Sequence, residues 1–290
     1  MTAEVASAFA GRKPGRADLA AAASDLRKLM AKPSRKHYIS FAAVNGRPLW
    51  LWVAEDGGKS LTGRAAIVRP CFVDTPRFKP AALRELVAGT KEYFGGDIKV
   101  RVAVPTSQKR KIPFFLKNGF KTNSHVLYGE VAASLRALER RLPELPDGYV
   151  IRPADLKKES EALTMLECMT LRSDSSCFVS KVSIAALRRD IIAKLRDKRS
   201  KGIFGLYFRG RMVGTIRVWE TKKGKEGLIG YIGVLPAHRG KGLSAHLYKA
   251  GLCWMKARNL GAYLGRTSTA RVLSQLKSMK RRIICTYLAA

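Results

Sequence analysis

The chain has 290 residues, 55 of them Lys or Arg against 22 Asp or Glu, and a formal net charge of +33. That length fits two ordinary domains, each with its own core, and no apolar run approaches the length that spans a bilayer. The N-terminus has no charged segment ahead of an apolar one, which argues against a secretory leader. Five cysteines without paired short spacing (Cys71, Cys168, Cys177, Cys253, Cys285) read as free cytoplasmic thiols, with no metal or disulfide framework. The charge is uneven: no Asp or Glu follows Glu226, whereas eleven Lys and Arg do, from Arg239 to Arg282. Charge of this size concerns partners, and the partner it fits is nucleic acid, RNA before DNA, or another polyanion.

In chain order, residues 1–18 are rich in Ala, Gly and Arg and read as a flexible basic arm. A helical pattern follows, with Leu19, Ala22, Leu26 and Met30 on one side. Strands are predicted over 38–44 and 48–54, joined by the hairpin signal Asn45-Gly46. Next come a strand over 65–73, a helix over 80–94, a strand over 99–104, a short helix over 110–117 and a strand over 124–131. A connecting helix, 132–142, and the proline-rich stretch to Gly148 form a joint. The order then repeats. A strand over 149–153 and helices over 156–171 and 183–195 precede a hairpin of 202–208 and 212–219 across Arg209-Gly-Arg. A strand from Glu226 to Val234, a helix over 245–259, a strand over 261–265, a helix over 270–282 and a strand over 283–288 complete the chain. Both halves run strand, strand, strand, helix, strand, helix, strand, an internal duplication at low identity.

The stretch from Glu226 to Ser244 carries the chemistry. Tyr231, Ile232 and Val234 lie in an apolar strand that Pro236 ends. The segment Arg239-Gly-Lys-Gly-Leu-Ser then leads straight into a helix. Loop amides and the first free N–H groups of that helix converge on one spot where the helix dipole favours an anion. Glycine at 240 and 242 lets the backbone close on a phosphate. Aromatics among basic residues (Tyr248, Trp254, Tyr263) can stack on bases, although their spacing also suits a core.

This arrangement resembles the acetyl-CoA loop of the GNAT superfamily of N-acetyltransferases. Arg239-x-x-Gly242-x-Ser244, after Val234-Leu-Pro236, matches its Arg/Gln-x-x-Gly-x-Gly/Ala signature, with Ser244 departing from the usual small residue. The resemblance implies that acetyl-CoA is held by His238, Arg239, Gly240, Lys241, Gly242, Leu243 and Ser244 and by a splayed strand at Ile232 and Val234. The N–H near Val234 would stabilise the oxyanion. Glu226 would act as base, directly or through water, unless it is merely a solvated turn residue. Tyr231 would donate or orient, or serve the core. The family's acid tyrosine falls near Leu276, and nothing in the sequence selects between Ser274, Tyr287 and water as its substitute.

The first half resembles the same family at Phe114-Phe-Leu-Lys-Asn-Gly-Phe120. Its tyrosine position is Phe115, and its loop, Asp74-Thr-Pro-Arg-Phe-Lys-Pro80-Ala, has no glycine and two prolines that each remove a donor. The expected fold class is α/β (α+β), with two GNAT-like domains, each a mixed, mostly antiparallel sheet flanked by helices. A silent 19–131 domain and an acetyltransferase domain at 148–290 are expected, joined by 132–147. The expected activity is acetyl transfer to a primary amine on or near RNA or a ribonucleoprotein; the alternative is a silent scaffold that grips nucleic acid.

Overall fold

A computed structural model describes residues 37–44, 47–60, 63–72, 80–174, 179, 182–197, 201–221 and 226–290. The expected arm, the helix over 19–30, the Asn45-Gly46 turn and the loop at 74–79 lie outside the described residues. The strands are β1 (His37–Val44), β2 (Arg47–Ser60), β3 (Gly63–Phe72), β4 (Lys99–Pro105), β5 (Lys121–Glu130), β6 (Tyr149–Pro153), β7 (Lys201–Phe208), β8 (Arg211–Glu220), β9 (Glu226–Val234), β10 (Ala262–Thr267) and β11 (Arg281–Ala289). The helices are α1 (Pro80–Phe94), α2 (Ile112–Lys117), α3 (Val131–Glu139), α4 (Leu156–Arg172), α5 (Ile184–Arg196), α6 (Leu243–Lys256) and α7 (Ala270–Ser274). Short 3-10 turns cover Thr106–Lys111 and Pro236–His238.

The chain divides into two compact units. The first comprises the described residues up to Asn123 together with Cys285–Ala290. Its sheet runs β1-β2-β3-β4-β11, antiparallel except for β3 beside β4. Trp52, Val68, Leu83, Val102, Phe115 and Leu288 are among its core residues. The buried indole of Trp52 donates to Thr90 Oγ at 2.8 Å, which satisfies the one polar atom such a side chain brings into a core.

The second unit is Ser124–Ile284. Its sheet runs β5-β10-β9-β8-β7-β6, again with one parallel pair, β9 beside β10. Sheet order therefore departs from sequence order at two places. The strand that ends the first half, β5, lies against β10 from His125 to Glu130. The strand that ends the chain, β11, lies against β4 from Cys285 to Ala289. The duplication read from the sequence thus appears as a reciprocal exchange of terminal strands.

Local chemistry explains most of the second unit. Arg209 (φ 48°) and Gly210 (φ 79°) are both left-handed, as a two-residue hairpin turn with the twist of its strands requires. The Asp155 carboxylate caps α4 by accepting from Lys157 N at 3.0 Å, and Asp155 N donates to Glu159 at 2.8 Å. Two expectations are corrected. Helix α3 is part of the second core, with Val131, Leu135 and Leu138 buried in it, so it does more than connect. Its Ser134 bonds Tyr263 Oη at 3.0 Å and donates to Met279 O at 2.8 Å. The expected helix over 270–282 stops at Ser274: Gln275 N and Leu276 N bond back three residues, to Val272 O and Leu273 O, and turns carry the chain to Lys280 (φ 51°) and β11. Among the described residues no helix is long and apolar enough to cross a membrane.

Candidate active site

Strand β9 is shared unequally by its neighbours. It pairs with β8 along nearly its whole length, with Gly230 as the extra residue of a bulge between Arg217 and Val218. It pairs with β10 only from Glu226 to Ile229. Beyond Gly265, β10 continues against β5 while β9 runs on to Val234, so the two strands part. Leu235 N donates to Val213 O at 2.9 Å. Antiparallel bonds alternate, so Gly233 turns its backbone groups toward β8 whereas Ile232 and Val234 turn theirs into the gap left by β10. The expected splay at Ile232 and Val234 is present.

The loop after β9 opens at the same end. Gly240 (φ 84°) and Gly242 (φ 73°) are both left-handed, and an added Cβ at either would meet nothing within 4 Å. Gly242 is the N-cap of α6, so no side chain caps that helix. No acceptor among the described residues takes the amides of Gly240, Lys241, Gly242, Leu243 or Ser244. Ser244, His246 and Lys249 are half-buried on the first turns of α6. Burial, with Lys249 adding to it, holds the His246 imidazole below its ordinary pKa and so neutral.

The charged side chains of the loop fold back onto the unit. Arg239 Nε donates to Val234 O at 2.8 Å and its Nη2 to Ser173 Oγ, at the end of α4, at 2.6 Å. His238 is not turned toward a phosphate position; its Nδ1 bonds Tyr149 Oη at 2.8 Å and its ring lies 5.3 Å from that of Phe208. Lys241 Nζ donates to the same Tyr149 hydroxyl at 3.3 Å. Tyr149, one of the buried core residues, ties the loop to β6.

On the opposite face of β9, Tyr231 extends over Gly233 and bonds Thr170 Oγ. Thr170 Oγ donates to Leu166 O at 2.8 Å. Either hydroxyl can be the donor in their shared bond. An added Cβ at Gly233 would overlap the Tyr231 hydroxyl and come within 3.0 Å of Thr170 Oγ. Gly233→Ala is therefore expected to break the Tyr231–Thr170 bond and lower stability by about 1–3 kcal/mol, read as a lower thermal midpoint in the circular dichroism of Tyr and Trp.

Behind Tyr231 lies an ion pair that sequence reasoning missed. Glu167 on α4 is fully buried and meets one guanidinium edge of Arg217 on β8 side-on, with Nε and Nη2 at 2.7 and 2.8 Å from its two carboxylate oxygens. Arg217 stands directly opposite Tyr231 in the β8–β9 register. Burial pushes the Glu167 carboxyl up to about 7, outweighing the pull of Arg217. A signal was present: an acid on the stripe of Leu163, Leu166 and Thr170, and an arginine inside the otherwise apolar β8.

Glu226 is not brought to this place. It is the first residue of β9, paired with Ala262, and eight residues separate it from Val234. At about 3.3 Å per strand residue that is roughly 26 Å, too far for a base acting at the splay. Of the possible substitutes for the acid tyrosine, Tyr287 pairs with Ala103 in the first unit and Ser274 ends α7. Phe115 is fully buried, so the corresponding position of the first unit is packing. Tyr248 and Tyr263 are core residues, and Trp254 packs on Gly202 with the Arg258 guanidinium 4.1 Å from its ring.

Comparison with known proteins agrees with this geometry. Residues 169–272 match the model of the Acetyltransferase (GNAT) family. A GCN5-related N-acetyltransferase from Sphaerobacter thermophilus superposes with a TM-score of 0.60 at 16% identity, over 92% of this chain and 84% of that one. One from Kribbella flavida gives 0.51 at 14% identity, covering 93% of each. A tandem GNAT protein from the clavulanic acid biosynthesis pathway gives 0.50 at 16% identity, over 90% of this chain and 84% of that one. At such identities the likeness concerns the fold alone. No curated protein matches the chain.

Proposed function

We propose, from the match of residues 169–272 to the model of the Acetyltransferase (GNAT) family, that the protein is an acetyl-CoA-dependent N-acyltransferase whose acceptor is a primary amine borne on RNA. The observation that carries the enzymatic part is the line formed by the Ile232 backbone groups and the Val234 N–H in the splay and the amides of residues 240–244 beyond it. The residues fit the cofactor: the open edge of β9 would hold its pantetheine arm, and the loop amides with the positive end of α6 would hold its pyrophosphate. Acetyl-CoA supplies the activated acyl group. Val234 N–H would stabilise the oxyanion that develops in acyl transfer, a contribution of about 3 kcal/mol for one such donor. Tyr231, held in place by Thr170, would orient the incoming amine through its hydroxyl. The N–C bond forms as the C–S bond breaks; water takes the amine proton and returns one to the thiolate. Calorimetry tests this reading: micromolar acetyl-CoA binding supports it and the absence of heat overturns it.

The RNA part rests on the net charge of +33 and on where some of that charge lies. A depression of about 350 Å³ beside the loop is lined by Tyr149, Arg152, Tyr207 and Arg209, and Lys241 reaches Tyr149 from the loop itself. Arg152 stacks on the Tyr207 ring at 3.9 Å, the kind of cation–aromatic surface on which single strands lie. Anisotropy with a single-stranded RNA is expected to show affinity that falls with salt, with a log–log slope of about −0.7 per phosphate contact. Arg209→Asn keeps a residue that tolerates φ 48° and is expected to shallow that slope by about 0.7. An unchanged slope places the RNA contact elsewhere. A second reading, a silent nucleic-acid scaffold, is favoured by the lack of a hydroxyl at Leu276 and Phe115; salt-sensitive RNA binding without acetyl-CoA binding would establish it.

A further inference from the structure

We propose that Arg239 is a strut rather than a phosphate ligand, and that Ser173 is the positioning residue through which the cofactor loop holds the acceptor side of the site. The inference rests on the acetyl-CoA reading above. The Arg239 guanidinium leaves the loop sideways: Nε is used by Val234 O at 2.8 Å and Nη2 by Ser173 Oγ at 2.6 Å. Ser173 is the C-cap of α4, and its own proton goes to Thr170 O at 2.8 Å. Thr170 in turn holds the Tyr231 phenol. An unbroken run of bonds thus leads from the loop, through the last turn of α4, to the hydroxyl that lies over Gly233 at the splay.

The energetics favour this arrangement over a phosphate contact. A cation at the end of α4 meets the negative end of that helix, and bonds from a charged donor are about twice as strong as neutral ones. The guanidinium would have to release both acceptors to turn toward the cradle. The pyrophosphate has the amides of 240–244 and the α6 dipole instead. Ligand seated on those amides fixes the backbone at Arg239, and the strut passes that restraint to α4 and Tyr231. The buried Glu167–Arg217 pair holds the preceding turn of α4 from the sheet side, so its last turn is the part left to be set. Cofactor binding then orders the surface that receives the amine.

Hydrogen exchange read by mass spectrometry, with acetyl-CoA as the probe, tests this on the full chain. In the native protein, acetyl-CoA is expected to slow exchange in 239–246 and also in 169–174 and 229–233. Ser173→Ala is expected to keep acetyl-CoA affinity within about threefold and to keep the slowing at 239–246, but to lose it at 169–174 and 229–233. Ser173→Thr retains the hydroxyl and is expected to restore it, which a loss of folding alone would not do. Protection at α4 that survives Ser173→Ala overturns the strut, as does a loss of acetyl-CoA affinity of tenfold or more in that variant. Slowing confined to the loop in the native protein also overturns it while leaving the acetyl-CoA reading intact. No acetyl-CoA binding by the native protein overturns both.

Discussion

Gly242→Asp is expected to weaken acetyl-CoA binding by about 100-fold or more, a change of roughly 2.7 kcal/mol. The position has φ 73° and nothing within 4 Å of where a Cβ would stand, so the variant meets no crowding. Backbone strain accounts for only about 1 kcal/mol. The remainder comes from placing a carboxylate where the ligand's phosphate must lie: two unit charges 4 Å apart repel by about 4 kcal/mol at an effective dielectric of 20. Gly242→Ala carries the strain alone and is expected to cost about fivefold. Gly261→Asp, at an exposed glycine with open space and no positive φ, adds the same charge away from the loop and is expected to leave binding unchanged. Calorimetry on the three variants separates charge at the cradle from charge in general. Native-like affinity in Gly242→Asp would remove the loop from the binding site.

Glu167→Ala is expected to destabilise the second unit by about 3–5 kcal/mol, because it leaves the Arg217 guanidinium buried without its carboxylate. For a unit of this size the thermal midpoint falls by roughly 10 °C. The pair also predicts a pH dependence. Burial is the main cause of the raised carboxyl, opposed by Arg217 and Lys194 and assisted by Asp190. A carboxyl that titrates near 7 when folded, and in the ordinary carboxylate range when unfolded, keeps its proton longer in the native state. Stability is then fully present below the unfolded value and declines as pH rises toward about 7. Glu167→Gln removes the titration and is expected to flatten the profile. Thermal unfolding at pH 5 and pH 8 measures both. An identical slope in Glu167→Gln would assign the pH dependence to other groups.

The legible parts of the molecule are those made by neighbours in sequence. The hairpin at Arg209-Gly210, the extent of α1, the strand Glu226–Val234 and the strand–loop–helix around Gly242 were all readable from turn chemistry and periodicity. The apolar spacing of 270–282 suits a helix throughout, yet α7 ends at Ser274 and a run of turns carries the chain to β11. The place of Glu226 at the head of a strand suggests a base; the point at which β10 leaves β9 sets it apart from the splay.

The sequence by itself determined that a glycine-bearing turn enters α6 and that the chain is strongly cationic, since backbone amides, φ preferences and formal charge belong to consecutive residues. Tertiary structure alone decided which strands lie beside β4 and β10, that Glu167 meets Arg217 fifty positions away, and that Arg239 reaches Ser173 across sixty-six. No local propensity encodes those partners. They are chosen by burial and by the need to satisfy polar groups once the sheet has closed around them.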